Sequence, residues 1–104
     1  MASLEIVYWR DIPAQVIVRA GRKAAKRPLG ERFVAAIDRC AMRTGAADTD
    51  AYLAEWRRGA PHPVEGDLEA LASEAEARIE AEYDTDRLNQ LVAAGGREPA
   101  AIET

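Results

Sequence analysis

One cysteine, one histidine and one phenylalanine are all that 104 residues contain of those three types, and each scarcity excludes something. With Cys40 alone there is no intrachain disulfide, and with His62 as the only imidazole a conventional zinc site lacks its ligands, so a metal would have to rest on carboxylates. Nowhere do eighteen apolar residues run together, and the first residues show neither a basic leader nor a following apolar run. The expectation is a cytoplasmic chain with no membrane span. A glycine-rich phosphate loop is missing as well, because Gly95-Gly96 falls after a helical stretch rather than before one. No serine or cysteine stands in a nucleophile motif: Ser3 is terminal, Ser73 is mid-helix, and Cys40 falls on the inner face of a helix, where a thiol acts as a small hydrophobe. Catalysis is left undecided on these grounds, with the balance against it.

What remains is enough for one small core. Hydrophobic residues make up 48% of the chain, but many are alanine, and the large ones beside Phe33 include two Trp and three Tyr. The length fits a single domain, read here as residues 4–93 with a flexible C-terminal tail at 94–104. The net charge of −4 conceals an asymmetry. Residues 1–44 carry nine Lys/Arg against four Asp/Glu, whereas residues 45–104 carry five against fourteen. Such lopsidedness bears on steering and partners rather than on fold.

The stretch Leu4 to Arg19 organises the rest. Ile6, Val7, Tyr8 and Trp9, then Val16, Ile17 and Val18, form two β-branched and aromatic runs about Asp11-Ile12-Pro13, which predicts strand, turn, strand, with the turn at Arg10-Asp11-Ile12-Pro13. In the first strand Leu4, Ile6 and Tyr8 alternate with Val7 and Trp9, so both faces call for cover. Lys23 to Arg27 reads as a third, edge strand, although Ala24-Ala25 leaves a brief helix open.

Everything later has helical periodicity. A helix is predicted from Glu31 to about Arg43, with Phe33 or Val34, Ile37, Cys40 and Ala41 inward and Gly45 past its end. Asp48 opens a second with Tyr52, Leu53 and Trp56 as its stripe, and 57–63 reads as a loop stiffened by Pro61 and Pro63. A third begins near Asp67 with Leu68, Leu71, Ala72, Ala75 and Ile79 inward. Asp84-Thr85-Asp86 repeats Asp48-Thr49-Asp50 and opens a fourth helix or kinks the third, with Leu88, Leu91 and Val92 inward. The two triplets read as independent N-caps rather than a repeat. The fold class is therefore α+β, a short antiparallel two- or three-stranded N-terminal meander covered by three to four helices.

Arg19, Arg22, Lys23, Lys26 and Arg27 place five cations in nine residues, an electrostatic trap for a phosphate, a polycarboxylate or an acidic protein face. A solvated strand edge explains the same charges without a ligand. Nucleic acid fits less well, since no aromatics interleave with the cations and the acidic helices would repel a backbone. At the first turn Trp9, Arg10 and Asp11 put a polar pair beside an indole, either a partner-binding tip or an ion pair closing the turn. Trp56-Arg57-Arg58 raises the same choice, with packing of Trp56 favoured. His62 sits in a stiff connector, and the carboxylates of 67–86 read as a solvated face.

Through Tyr8-Trp9-Arg10-Asp11-Ile12-Pro13-Ala14-Gln15 and Asp50-Ala51-Tyr52-Leu53 the sequence resembles a bacterial family known as the virulence factor domain, over Ile6 to about Val92. That family's name describes a phenotype and brings no catalytic residues. The resemblance implies a stand-alone protein or a companion of helical repeats, found in the company of tetrahydrofolate and corrinoid methyl-transfer enzymes. Two functions follow as expectations. The first is a non-catalytic adaptor or accessory protein holding a protein partner through Trp9, Arg10, Asp11 and the basic band, without cofactor. In the second the band binds an anionic cofactor of tetrahydrofolate type in one-carbon metabolism. A homodimer pairing the positive half of one copy with the negative half of another is a further arrangement open to this charge pattern.

Overall fold

The computed structural model describes residues 2–46 and 48–97. Strand β1, Ala2–Trp9, pairs antiparallel with β2, Ile12–Ala20, and the turn between them is Arg10-Asp11 alone. Ile12 and Pro13, expected in that turn, belong to β2 and are buried. The ladder explains why. Val7 faces Gln15 and Tyr8 faces Pro13, so the register slips and Ala14 is left over. Proline, which has no N–H to give the ladder, is tolerated at such a bulge.

Strand β3, Lys23–Pro28, pairs with the far edge of β2, from Gln15 opposite Pro28 to Ala20 opposite Lys23. The choice between strand and helix here resolves to an edge strand, as the sheet order β3-β2-β1-β4 shows. The other edge of β1 is not left bare. Two three-residue strands, β4 at Trp56–Arg58 and β5 at His62–Val64, pair with Val7–Trp9 and Ala2–Leu4 respectively. Gly59 N–H donates to Ile6 O at 2.8 Å between them. The sheet thus has five strands rather than two or three, and the expected loop at 57–63 contains two of them. An unpaired edge on a strand with buried side chains leaves backbone groups that must find partners, and these residues supply them.

Four helices follow: α1 Glu31–Arg43, α2 Thr49–Ala54, α3 Leu68–Glu82 and α4 Thr85–Ala93. The first has the predicted bounds and buries Phe33, Ala36, Ile37, Cys40 and Ala41, while Val34 stays exposed. Its N-cap is Gly30, which has no side chain to cap with, so the acceptor comes from elsewhere: Glu80 of α3 takes the Gly30 N–H at 2.6 Å. Gly45, at φ +77°, supplies the left-handed residue past the other end. The second helix is shorter than expected, with Leu53 exposed and Trp56 already in β4; Tyr52 packs against the core. In α3 and α4 the buried residues are Ala72, Ala75 and Ile79, then Leu88, Leu91 and Val92. Both helices begin with an aspartate that caps: Asp67 accepts from Ala70 N at 2.9 Å and Asp84 from Arg87 N at 2.8 Å. Asp48 occupies the same position before α2 but makes no such bond.

One hydrophobic cluster joins β1, β2, β3, α1, α3 and α4. Trp9, fully buried, meets Tyr52 at 5.7 Å between ring centroids, and Tyr52 meets Trp56 at 5.9 Å, so α2 and β4 cover the end of β1. Ile17 is the buried hydrophobic residue that stands outside the cluster, at 3% exposure on the other side of β2 from Val16 and Val18. Of the expected tail, residues 98–104 lie outside the described residues. Gly95 and Gly96 before them are tied to the first turn, Gly96 O accepting from Asp11 N at 2.7 Å. Among the described residues no helix is long and apolar enough to cross a membrane.

Candidate functional site

Period-two alternation decides what the basic band becomes. On β2 and β3, Arg19 and Lys26 share a side with Ile17, because Ile17 pairs with Lys26 and Arg19 with Ala24. Arg27 lies opposite Val16, on the helix side, and its guanidinium reaches Glu69 of α3 at 3.0 Å. Lys23 falls on that side too, opposite Ala20, and Arg22 occupies the turn. Five cations close in sequence are therefore divided between two faces and a tip, and no single trap holds them all. Arg22, Lys23 and Lys26 are exposed and have no ion-pair partner among the described residues.

The Ile17 side of the sheet gains a residue from far along the chain. Arg58 of β4 stands opposite Val7, and Val7 opposite Gln15, so all three share that side with Glu5 and Arg19. Glu5, with its side chain only 12% exposed, accepts from Arg19 at 3.4 Å and from Arg58 at 3.3 Å on the same oxygen. A carboxylate this well covered requires such neighbours. The core cluster that the helices join does not include Ile17. This side is thus a mostly polar surface over the buried Ile17: a half-buried Val7, a neutralised glutamate, and Arg19, Arg58 and Lys26 around them.

The first turn is built differently from the exposed tip that Trp9, Arg10 and Asp11 suggest. The Trp9 ring is wholly buried and its indole N–H donates to Tyr52 O at 2.9 Å, so it packs and offers no platform. Arg10 adopts φ +56°, held by its backbone N–H on Glu55 O at 3.0 Å. Its guanidinium folds back over the Trp9 ring at 5.0 Å, donates to Gly95 O at 2.7 Å and meets Glu55 at 3.5 Å. Its Nε is buried with no hydrogen-bond partner among the described residues. Arg10 is a clasp between the turn, α2 and the end of α4. Burial pushes the nearby Cys40 thiol above its ordinary pKa, against the lowering pull of the Arg10, Arg43 and Arg97 charges. The phenol of Tyr52 is raised likewise, first by burial and then by Asp38.

Asp11 faces a cleft of about 280 Å³ lined by Ile6, Tyr8, Arg57, Gly59, His62 and Tyr83 among others. Arg57 donates through Nε to Arg10 O at 2.9 Å and through Nη2 to Asp11 Oδ1 at 2.9 Å, with its guanidinium 4.4 Å from the Tyr8 ring centroid. Tyr8, Tyr83 and Glu5 are site residues that the sequence pattern does not single out, and Arg57 and Arg58 stand in it only as cations beside Trp56. The available signal was the cationic pair after Trp56, which becomes informative only once β4 is placed beside β1.

A family model described as virulence factor matches residues 7–92, from β1 to α4. No curated protein and no solved structure matches the chain.

Proposed function

This chain belongs to the virulence factor family, and on that premise we propose that it is a non-catalytic binding protein, an adaptor or accessory subunit that holds an acidic protein surface against the Ile17 side of its sheet. The observation that carries the reading is a cationic edge: Lys26 on that side, Arg22 in the adjoining turn and Lys23 on the other side of the same edge strand are exposed and unneutralised among the described residues, near Arg19 and Arg58, which share one glutamate. A surface with little exposed apolar area and unmatched positive charge at its edge suits an acidic partner. Cations in this arrangement act on encounter and register, and salt screens them over about 10 Å at 0.1 M.

The test is a pull-down from the native host at low and moderate salt, with bound proteins identified by mass spectrometry and the wild-type chain compared with an Arg22→Gln, Lys23→Gln, Lys26→Gln variant. One stoichiometric partner, released as salt rises and lost with the variant, is the expected result. Equal recovery by the variant, or a clean bait, overturns the reading. The same three unmatched cations support one alternative, an anionic cofactor of tetrahydrofolate type. Equilibrium dialysis against tetrahydrofolate separates the two, because the variant then loses a small molecule instead of a protein.

A further inference from the structure

We propose that the cleft between β1, the 59–62 segment and the end of α3 binds a small single-ring aromatic carboxylate. Its walls and its charge come from different parts of the chain. Tyr8 of β1 and Tyr83 after α3 contribute rings and Ile6 an aliphatic surface, while Arg57 of β4 and His62 of β5 bring the basic groups. The volume of about 280 Å³ lies at the low end for ligand pockets and suits one ring with a short substituent.

Arg57 is the anchor, because it is already fixed. Its Nε and Nη2 are engaged by Arg10 O and Asp11 Oδ1, each at 2.9 Å, and its guanidinium carbon sits 4.4 Å from the Tyr8 ring centroid. A guanidinium has five N–H groups, and these two bonds leave most of its donors without an acceptor among the described residues. A held guanidinium of this kind meets a planar carboxylate with little entropy left to lose. The Asp11 charge offsets that of Arg57, so what receives a ligand is the remaining guanidinium N–H groups rather than net charge, and a single carboxylate matches them better than a phosphate dianion. Gly59 sets the closeness of the wall. A Cβ there would come 3.1 Å from Tyr8 Cε1 and 3.4 Å from Ile6 O, so the backbone lies close against the aromatic ring and a larger residue would press on it. Arg57 and Arg87 each cover one face of these rings, at 4.4 Å from Tyr8 and 4.0 Å from Tyr83, so an aromatic body would pack against the ring surface that lines the cleft, with Ile6, rather than stack on those faces.

The experiment is heteronuclear NMR on the isotope-labelled full chain, titrated with benzoate, with benzamide as the same ring without charge and acetate as the charge without the ring. Benzoate is expected to shift the Gly59, Ala60 and His62 amide signals saturably, and the other two probes only weakly. Replacing Arg57→Gln removes a charge-assisted pair and is expected to weaken benzoate about tenfold. Arg57→Lys keeps a cation but not the fork, and gives the same reading should the glutamine variant be less well folded; a loss of about threefold or more is expected of it. Absence of saturable benzoate shifts, an equal response to benzamide, or unchanged binding by both variants overturns the proposal.

Discussion

Gly96 shows how much one residue contributes at the junction of turn, helix end and core. It sits at φ +81°, accepts from Asp11 N, and a Cβ built on it would come 2.9 Å from Cys40 Sγ and 3.1 Å from Arg10 Cδ. Two penalties therefore coincide in Gly96→Ala, the left-handed backbone and a contact that real Cβ atoms do not make. Gly45 separates them, since it has φ +77° and nothing within 4 Å of its Cβ position. Urea denaturation is expected to show Gly45→Ala less stable by about 1 kcal/mol, the cost of the backbone alone. For Gly96→Ala the loss should be about 2 kcal/mol or more, because Arg10 and Cys40 must also move. Equal losses would mean that the end of α4 yields without cost. Arg10 itself carries positive φ without being glycine, and the contacts to Glu55, Gly95 and Trp9 are what hold it there.

Among the elements, the helix starts make the sharpest comparison. Asp84 and Asp48 head identical Asp-Thr-Asp triplets, but only Asp84 caps its helix. Asp84→Ala is expected to lower stability by about 1 kcal/mol and Asp48→Ala by a few tenths, read from thermal melts. Glu80→Ala should cost about 1–2 kcal/mol, since it strips the acceptor from the Gly30 N–H at the start of α1 and the carboxylate from Arg32 at 3.1 Å. That link between α1 and α3 spans fifty residues and has no local signature. What was legible in the sequence follows the same division. The bounds of α1 show in its apolar spacing, and the starts of α3 and α4 in aspartates before apolar runs, because those signals are local. Strands β4 and β5 are too short to show a period and exist because β1 has an edge to fill. For the site, alternation alone would have split Arg19 and Lys26 from Arg27; what it does not reveal is Arg58 arriving beside Glu5, or Arg57 beside Tyr8 and Asp11.

On the scale of the whole molecule, the charge asymmetry between the halves is met only in part inside the fold. Arg10 meets Glu55, Arg27 meets Glu69 and Arg32 meets Glu80, each pairing the positive half with the negative one. Partly exposed pairs of this kind contribute little stability apiece. The core that unites the halves has a further consequence through Cys40, which lies fully buried in the cluster shared by the sheet and three of the helices. Its thiol is raised by burial in the folded chain, so over the pH range between the unfolded and folded values the unfolded state has lost its proton and the folded state has kept it. Fewer protons bound on unfolding make the slope of stability against pH negative. The contribution is fully present below the ordinary thiol range and is lost as pH rises through the folded value, with a slope no steeper than about 1.4 kcal/mol per pH unit. Tyr52, also raised, adds the same sign at higher pH. Urea midpoints measured from neutral pH upward are expected to fall across the thiol range, and to fall less in Cys40→Ala, which has no proton to lose. Because a single cluster joins the sheet to α1, α3 and α4, tryptophan fluorescence from Trp9 and Trp56 and far-ultraviolet dichroism from the helices should report the same midpoint at every pH. A dichroism change that leaves the fluorescence behind would show that the helices unfold without the sheet, and would detach the Cys40 linkage from global stability.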